Sequence, residues 1–340
     1  AKANGGKFIL RVEDTDLERS KREYEEAQIA DLKWCGIEYD EGPDKPGEYG
    51  PYRQSERQDI YKKIADGFIA EGKAYYCFLT SDELEKLTEQ AESEKKAPHA
   101  YHGKYRDLDP VEAKKRVEAG EEHVVRFKNP GKELSITDHV RGNVKWPADM
   151  VGDFVIMRSN GMPVYNFCCV VDDAMMKITH VIRAEEHLNN TCRQMMIYEA
   201  MGEKMPEFAH CSLLVGEDRQ KLSKRHGATS VTQYKEMGYI PEAMVNYLTL
   251  LGWSHPDETD IFNVNELGEL FKLDRLSKSP AMYDVKKLNF FNESWLRALP
   301  NEEIIAGFEK AAGAESEFSK KDTEWKTSFV ELFKDKVQLF

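Results

Sequence analysis

The chain has 340 residues, of which 41% are hydrophobic and 32% are charged, and its formal net charge is -13. This length predicts two or three domains, the composition excludes wholesale disorder, and the acidic balance excludes a sequence-independent coat on nucleic acid, though not a local basic patch. There is no apolar run long enough for a membrane span, and the six cysteines contain no C-x-x-C pair, which indicates a reducing compartment.

The first part of the chain predicts strands that alternate with helices. In chain order the predictions are a strand over 8–12, a helix over about 17–34 that ends at Gly36, a Pro/Gly loop over 42–52, a helix over about 55–70 and a strand over 75–79. Thr80 and Glu83 predict a capping box at the start of the next helix.

The later part continues this alternation. Between them, residues 95–150 or so show a different pattern of loop, short helix and short strand-like pieces, which indicates an insertion between two halves of an α/β domain. The predictions are a hairpin over 153–173 around Asn160-Gly161, a strand, turn and helix over 178–202 with Gly202 at the C-cap, a strand over 209–216, and helices from about 240 to the end. Such alternation predicts an α/β fold with a mostly parallel sheet.

The segment "KLSKRHG" (221–227) concentrates positive charge in this acidic chain. Lys221 and Lys224, with Ser223 between them, can bind a polyphosphate from one side of a loop. A generic run of this kind is more often a solvated surface. Here it follows a predicted strand, where α/β folds place their ligands, so both interpretations stay open on the residues alone.

The segment "RVEDTD" (11–16) places three acids directly after the first predicted strand. Carboxylates at this position can hold an ammonium group. They can also cap the following helix, whose dipole favours acids at its start. We assign the capping role to Asp16 and leave Glu13 for a binding site.

Two further polar side chains are predicted near the same sheet edge. Arg183 in "VIRAEEH" (181–187) ends a predicted strand, where a guanidinium can fork onto a carboxylate or pair with the adjacent acids. Tyr165 lies in a predicted strand of "VYNFCCVVDD", where it fits a binding pocket or the core.

The order of the motifs along the chain indicates a function more specifically than any single motif does. "FILRVEDTD", "GPYRQSERQDIY", "YNFCCVVDD", "HVIRAEEHLNNT" and "KLSKRHGA" follow one another as in the bacterial and organellar type of glutamyl-tRNA synthetase, a class I aminoacyl-tRNA synthetase, which the chain closely resembles up to about Leu299. The resemblance implies ATP-dependent activation of glutamate to glutamyl adenylate and transfer to the 3′-terminal adenosine of tRNA(Glu). Most members of the family activate glutamate only when tRNA is bound.

The resemblance also implies an α/β fold with a Rossmann-like parallel sheet, interrupted by a connective α+β insertion and followed by an all-helical C-terminal region. The implied division is 1–77 and 161–225 for the two parts of the catalytic domain, 78–160 for the insertion that binds the acceptor end, 226–300 for a stem-contact domain and 301–340 for the start of the anticodon-binding region.

Site roles follow from the resemblance, position by position. The implied glutamate site comprises Glu13, which holds the ammonium, Tyr165 and Arg183, which read the carboxylates, and Cys169, which lines the pocket. The implied ATP site comprises Glu186, Leu214, Lys221, Ser223, Lys224 and Arg225. Lys221 and Lys224 are the catalytic pair, and Lys224 stabilises the transition state of adenylate formation. ATP is expected with Mg²⁺, which needs few protein ligands.

The chain departs from the family pattern in two places. The His-Ile-Gly-His-type motif that should precede "FILRVEDTD" is absent, so we expect the 340-residue chain to be a fragment that does not aminoacylate tRNA by itself. Some relatives hold zinc in the insertion, but here only Cys77 of that set is kept, and one thiolate cannot hold a tetrahedral zinc ion. His99 and His102 are too irregularly spaced to substitute, so the sequence predicts no zinc and no other metal site.

Contacts to tRNA are expected from scattered cations, because RNA shape and single-stranded ends allow recognition without a basic domain. The candidates are Lys104, Arg106, Lys278, Lys286 and Lys287. We expect a monomer without a membrane contact, in the bacterial cytoplasm or in a plastid or mitochondrion. The alternatives are a glutamyl-queuosine tRNA(Asp) synthetase, which lacks the helical segment that continues here, and a non-catalytic tRNA-binding paralogue.

Overall fold

The computed structural model describes residues 1–16, 18, 20–223 and 230–340. These residues divide into two compact units. The central unit comprises Ile9–Lys21 and Asp40–His210, and the C-terminal unit comprises Ala1–Phe8, Arg22–Tyr39 and Cys211–Phe340. In the described part of the chain, no helix combines the length and the apolar character that a membrane span requires.

The helices and strands are numbered in chain order. The helices are α1 (Arg22–Trp34), α2 (Gln58–Ala70), α3 (Ser81–Ser93), α4 (Pro110–Glu118), α5 (Tyr165–Met175), α6 (Leu188–Met201), α7 (Val231–Glu236), α8 (Pro241–Leu250), α9 (Leu267–Leu270), α10 (Val285–Ala298), α11 (Asn301–Ala312) and α12 (Thr323–Phe333). The strands are β1 (Ala74–Cys77), β2 (Val124–Phe127), β3 (Leu134–Asp138), β4 (Gly142–Trp146), β5 (Phe154–Met157), β6 (His180–Ala184), β7 (Glu207–Cys211), β8 (Leu214–Val215) and β9 (Ala281–Met282).

The described strands form four small sheets, with the orders β1-β2-β5, β3-β4, β6-β7 and β8-β9. Pairing is antiparallel in the first two sheets and parallel between β8 and β9. The α/β class with a helical C-terminal region is confirmed, but the strands of the described residues do not join into one sheet. The five-part domain division drawn from the resemblance stays a prediction.

Three local predictions were wrong. The expected strand at 8–12 has only isolated parallel bridges, from Ile9 to Glu41 and from Val12 to Arg53. Helix α1 begins at Arg22 rather than near residue 17, so Asp16 lies too far upstream to cap it. The second arm of the expected hairpin at 153–173 is helix α5, because a short apolar run cannot be assigned to strand or helix by its periodicity alone.

The local end signals, by contrast, are confirmed. Thr80 and Glu83 form the predicted capping box of α3. Gly36 and Gly202 follow α1 and α6 with positive φ angles of 69° and 70°, a backbone conformation that glycine adopts without a Cβ penalty. These signals depend on neighbouring residues only, so tertiary structure did not override them.

Helix α5 lies in the core of the central unit. Phe167, Cys168 and Val171 on this helix are fully buried. The ring of Phe167 lies 6.5 Å from that of Tyr61 and 6.2 Å from that of Phe68, both on α2. Packing of this kind fixes the helix in position, and with it the polar side chains that α5 carries toward the candidate site.

The C-terminal unit has a separate core. Tyr247 on α8 and Leu288, Phe291 and Leu296 on α10 are buried against one another. Asp284 caps α10 by accepting hydrogen bonds from the backbone N–H groups of the next turn. The helical character predicted for this region is therefore confirmed.

Candidate active site

Arg183 is held in place by side chains from two neighbouring elements. It lies near the end of β6, and its Nε donates to Nε2 of His210 on β7 at 3.1 Å. Its Nη2 donates to Thr191 Oγ1 at 2.8 Å and to Gln194 Oε1 at 2.7 Å, both on α6. All of these partners are neutral acceptors if His210 is unprotonated.

His210 forms a buried pair with Asp138. Its Nδ1 lies 2.6 Å from Asp138 Oδ2, and both side chains are completely buried. Since Nε2 accepts from Arg183, Nδ1 carries the proton and donates to Asp138. Burial lowers the pKa of His210 below its ordinary value, and the charge of Arg183 adds to this effect. The imidazole is therefore neutral near pH 7.

Asp138 stays ionised in spite of its burial. Burial alone would raise its pKa, but hydrogen bonds from the backbone N–H of Arg141 and from His210 outweigh that effect, and the pKa lies below its ordinary value. The negative charge of Asp138 is thus separated from Arg183 by a neutral imidazole. In the described residues, the guanidinium of Arg183 is positioned without a carboxylate in contact, which leaves its charge for a ligand.

Among the ion pairs of the described residues, none joins Glu185 or Glu186 to Arg183. Glu185 forms an ion pair with Arg141 at 2.9 Å, and Glu186 Oε1 lies 3.9 Å from His187 Nε2. The alternative in which Arg183 is neutralised by its sequence neighbours is therefore wrong.

Tyr165 is the first residue of α5 and not part of a strand. Its ring centroid lies 5.7 Å from that of His187, and its side chain is partly buried. Burial raises the pKa of Tyr165 above its ordinary value, while Arg183 lies close enough to oppose this shift. Tyr165 therefore stays a neutral phenol next to the Arg183 guanidinium.

Glu13 and Cys169 are in direct contact. The Sγ of Cys169 donates to Glu13 Oε1 at 3.1 Å. Cys169 lies one helical turn after Tyr165, so both side chains are on the same face of α5. A hydrogen bond with Cys168 and burial raise the pKa of Cys169 well above its ordinary value, so its thiol stays protonated and neutral. The four side chains predicted for the glutamate site are thus brought together within the central unit.

Arg11 orients Glu13 and was missed by sequence reasoning. Its Nη2 donates to Glu13 Oε1 at 3.1 Å, and its Nη1 donates to Asp173 Oδ1 at 2.6 Å. The side chain of Glu13 remains 41% exposed, which leaves a carboxylate oxygen open to a ligand. The signal that could have found Arg11 is Asp173 at the end of an apolar helix, because a buried acid needs a donor or a cation.

Asp172, the neighbour of Asp173, is part of the scaffold. It is completely buried and accepts hydrogen bonds from Gln54 Nε2 at 2.8 Å, Arg57 Nε at 2.7 Å and Tyr61 OH at 2.8 Å. These partners lie on α2 and in the turn before it, so the charge of Asp172 joins α2 to α5. The "RQSERQDIY" and "CCVVDD" motifs are therefore linked through a buried ion pair.

The residues predicted for the ATP site fall in both units. In the central unit, Glu186 lies in the turn before α6. In the C-terminal unit, Leu214 lies on β8, and Lys221 forms an antiparallel bridge with Val215 at the base of a tight turn, with Ser223 just beyond it. Lys224 and Arg225 lie outside the described residues.

The cations proposed for tRNA differ in their surroundings. Lys104 forms an exposed ion pair with Glu83 at 3.1 Å, whereas Arg106 is bound to Asp153 and to the backbone carbonyl of Asn129. On the C-terminal unit, Lys286 lies exposed in the first turn of α10, Lys287 is 3.7 Å from Asp260, and Lys278 is exposed. The binding role of all five stays a prediction, and the contacts of Arg106 favour a structural one.

Cys77 is almost completely buried on β1 and packs with Tyr75 and Leu79 in a small apolar cluster. His102 Nε2 lies 3.1 Å from Thr88 Oγ1. The absence of zinc at this position stays a prediction.

Comparison with known proteins agrees with these features. Residues 1–290 match the family described as tRNA synthetases class I (E and Q), catalytic domain. The chain is 53% identical over 298 residues to a glutamate--tRNA ligase of Carboxydothermus hydrogenoformans, covering 87% of this chain and 62% of the relative. It is 49% identical to the glutamate--tRNA ligase of Bdellovibrio bacteriovorus, covering 100% of this chain and 70% of the relative.

A solved structure gives the same result. A glutamate tRNA ligase from Elizabethkingia meningosepticum, solved in complex with its amino acid, superposes with a TM-score of 0.92 at 35% identity, covering 100% of this chain and 72% of that one. The chain thus spans 62% to 70% of the length of the two curated relatives. It belongs to the glutamate--tRNA ligases, within the class I tRNA synthetases for glutamate and glutamine.

Proposed function

We propose that the protein activates L-glutamate with ATP and transfers the glutamyl group to the 3′-terminal adenosine of tRNA(Glu). In the first step a carboxylate oxygen of glutamate bonds to the α-phosphorus of ATP, and the bond from that phosphorus to pyrophosphate breaks. In the second step the ribose hydroxyl of the terminal adenosine attacks the acyl carbon, and AMP leaves. The proposal is supported by the curated relatives, which are named glutamate--tRNA ligases.

The observation that carries the proposal is the Arg183 guanidinium, which is held by neutral partners in the described structure and so keeps its charge for a carboxylate ligand. Glu13 supplies the opposite charge for an ammonium group, and Tyr165 adds a hydroxyl that is close enough to interact with both Glu13 and Arg183. Glutamate carries an ammonium and two carboxylates, so its charges complement this set. Glutamine offers one carboxylate fewer to the guanidinium and the phenol.

The nucleotide half of the site is proposed from the resemblance. Glu186 and Leu214 would contact ATP, and Lys221, Ser223, Lys224 and Arg225 would bind its phosphates with Mg²⁺. Lysines at this position act by neutralising charge that develops on the leaving pyrophosphate, because adenylate formation needs positioning and phosphate neutralisation more than an acid or base. We further propose that the protein works as a monomer in the bacterial cytoplasm.

ATP–pyrophosphate exchange by the full-length protein tests the function. We expect exchange with glutamate to exceed exchange with glutamine by at least about 100-fold in kcat/KM, because an unpaired guanidinium in the site penalises the neutral side chain. We also expect exchange to require tRNA. Exchange with neither amino acid in the presence of tRNA, or equal exchange with both, would contradict the proposal.

His210 is expected to be a positioning residue for glutamate binding. Replacing His210 by leucine removes the acceptor of Arg183 Nε, and the KM for glutamate should rise about tenfold while kcat changes little, which corresponds to about 1.4 kcal/mol. The His210→Gln variant should recover part of this loss, since its amide oxygen can accept from the guanidinium. If both variants instead lower kcat as well as raise KM, and His210→Gln recovers nothing, the substitutions disrupt the core generally and His210 has no specific positioning role.

A further inference from the structure

Three potential metal ligands converge on the surface of the central unit, at residues that the proposed function does not use. His139, His180 and Glu207 each offer one ligand atom, and these atoms all lie within 4.8 Å of one another. Glu207 Oε2 lies 2.6 Å from Nε2 of His139 and 3.7 Å from Nε2 of His180.

The backbone holds these three positions together. His180 begins β6, Glu207 begins β7, and His139 directly follows β3. The backbone N–H of Glu207 donates to the carbonyl of Thr179 at 2.9 Å, and that of His139 donates to the carbonyl of Phe208 at 2.9 Å. The ligand-bearing residues are therefore fixed by main-chain hydrogen bonds and do not depend on a loose loop.

We propose that His139, His180 and Glu207 bind one divalent transition-metal ion of the zinc class. Two imidazoles and one carboxylate match the nitrogen and oxygen ligands of zinc, whereas magnesium and calcium prefer oxygen ligands alone. Three protein ligands leave a fourth position for water, which suits an open surface site.

The ligand atoms all lie within 4.8 Å of one another, so side-chain movements of no more than about 1.5 Å bring them to tetrahedral spacing. Ligand bonds of about 2.0–2.1 Å in a tetrahedral site place the donor atoms about 3.3–3.4 Å apart. The His180 to Glu207 separation is close to this value, and the His139 to Glu207 contact must open slightly as the metal replaces the shared proton. The side chains are 35% to 62% exposed, so this adjustment meets little steric resistance.

The metal would join the same strands that position Arg183. Asp138 and His139 are consecutive residues: Asp138 is buried and binds His210, while His139 is exposed and contacts Glu207. A bound ion would therefore link the end of β3 to β7 from the outside. This inference is independent of the proposed function and differs from the expectation that the chain has no metal site.

Zinc titration of the metal-free full-length protein tests the inference. We expect calorimetry to show one ion bound per chain at this site and the melting temperature to rise with zinc concentration, because the ion binds the folded state. His139→Asn and Glu207→Gln should each weaken this binding at least tenfold. His123→Asn and Glu203→Gln, which alter residues of the same types outside the cluster, should leave it unchanged.

Two further measurements separate this site from other metal ligands. The cobalt-substituted protein should show no thiolate-to-metal charge-transfer band, since no cysteine belongs to the site. Lys204 is exposed and its charge acts on Glu207, so Lys204→Gln should tighten zinc binding about two- to fivefold. Zinc binding that is unaffected by the His139 and Glu207 variants, a thiolate band, or no zinc binding at all would overturn the inference.

Discussion

Replacing Arg183 by glutamine is expected to lower kcat/KM for glutamate in ATP–pyrophosphate exchange by about 100- to 1,000-fold, which corresponds to about 2.7–4.1 kcal/mol. The reason is that glutamine keeps a polar side chain of moderate length but lacks the positive charge and the paired N–H donors of the guanidinium that bind a carboxylate. Arg183 is held by neutral groups in the described structure, so a substrate carboxylate would be its counter-charge.

Arg183→Lys provides the matched control, because it keeps the charge and loses the planar fork. Its activity should lie between that of the wild type and that of Arg183→Gln. Thermal denaturation of both variants should change far less than their activity. If the KM for glutamate is the same in all three proteins, Arg183 does not contact the substrate.

The second large effect is expected on stability. Replacing Asp172 by alanine should lower the free energy of unfolding of the central unit by about 3–5 kcal/mol, because it leaves the guanidinium of Arg57 buried without its counter-charge. Arg57 is 2% exposed, and Asp172 also accepts hydrogen bonds from Gln54 and Tyr61, which lose their partner. Urea denaturation measures the change, and amide hydrogen exchange in α2 and α5 assigns it to this unit.

An exposed ion pair on α2 serves as the control. Lys62 and Asp66 lie 2.5 Å apart with side chains that are 70% and 50% exposed, so Asp66→Ala should leave the urea midpoint nearly unchanged. If Asp172→Ala is as mild as Asp66→Ala, the buried pair does not hold α2 against α5.

The elements that sequence reasoning predicted correctly are those decided by neighbouring residues. The capping box at Thr80, the glycine ends of α1 and α6, and helix α10 all follow from signals within a few positions. Tyr165 was assigned to the wrong kind of element, because the short apolar run "FCCVV" has no clear period and is buried in the core as part of a helix. Only packing against α2 and α6 decides whether this segment is a strand or a helix.

The same distinction applies to the site. Glu13 and Arg183 could be predicted as candidates because polar residues that follow predicted strands stand out in an apolar sequence, although the strand before Glu13 forms only isolated bridges. The pair Asp138 and His210 could not, since these residues are 72 positions apart and neither carries a local motif. Arg11 was also missed, because its role depends on Asp173 from α5. Residues that position the site through long-range contacts are visible only in the folded chain.

A crystal structure of the full-length protein with L-glutamate bound is the decisive test of the glutamate site formed by Glu13, Tyr165 and Arg183. We expect the substrate ammonium within hydrogen-bonding distance of Glu13 and a substrate carboxylate on the guanidinium of Arg183, with Tyr165 within reach of the same ligand. Glutamate bound elsewhere, or bound here with Arg183 turned away from both of its carboxylates, would contradict it.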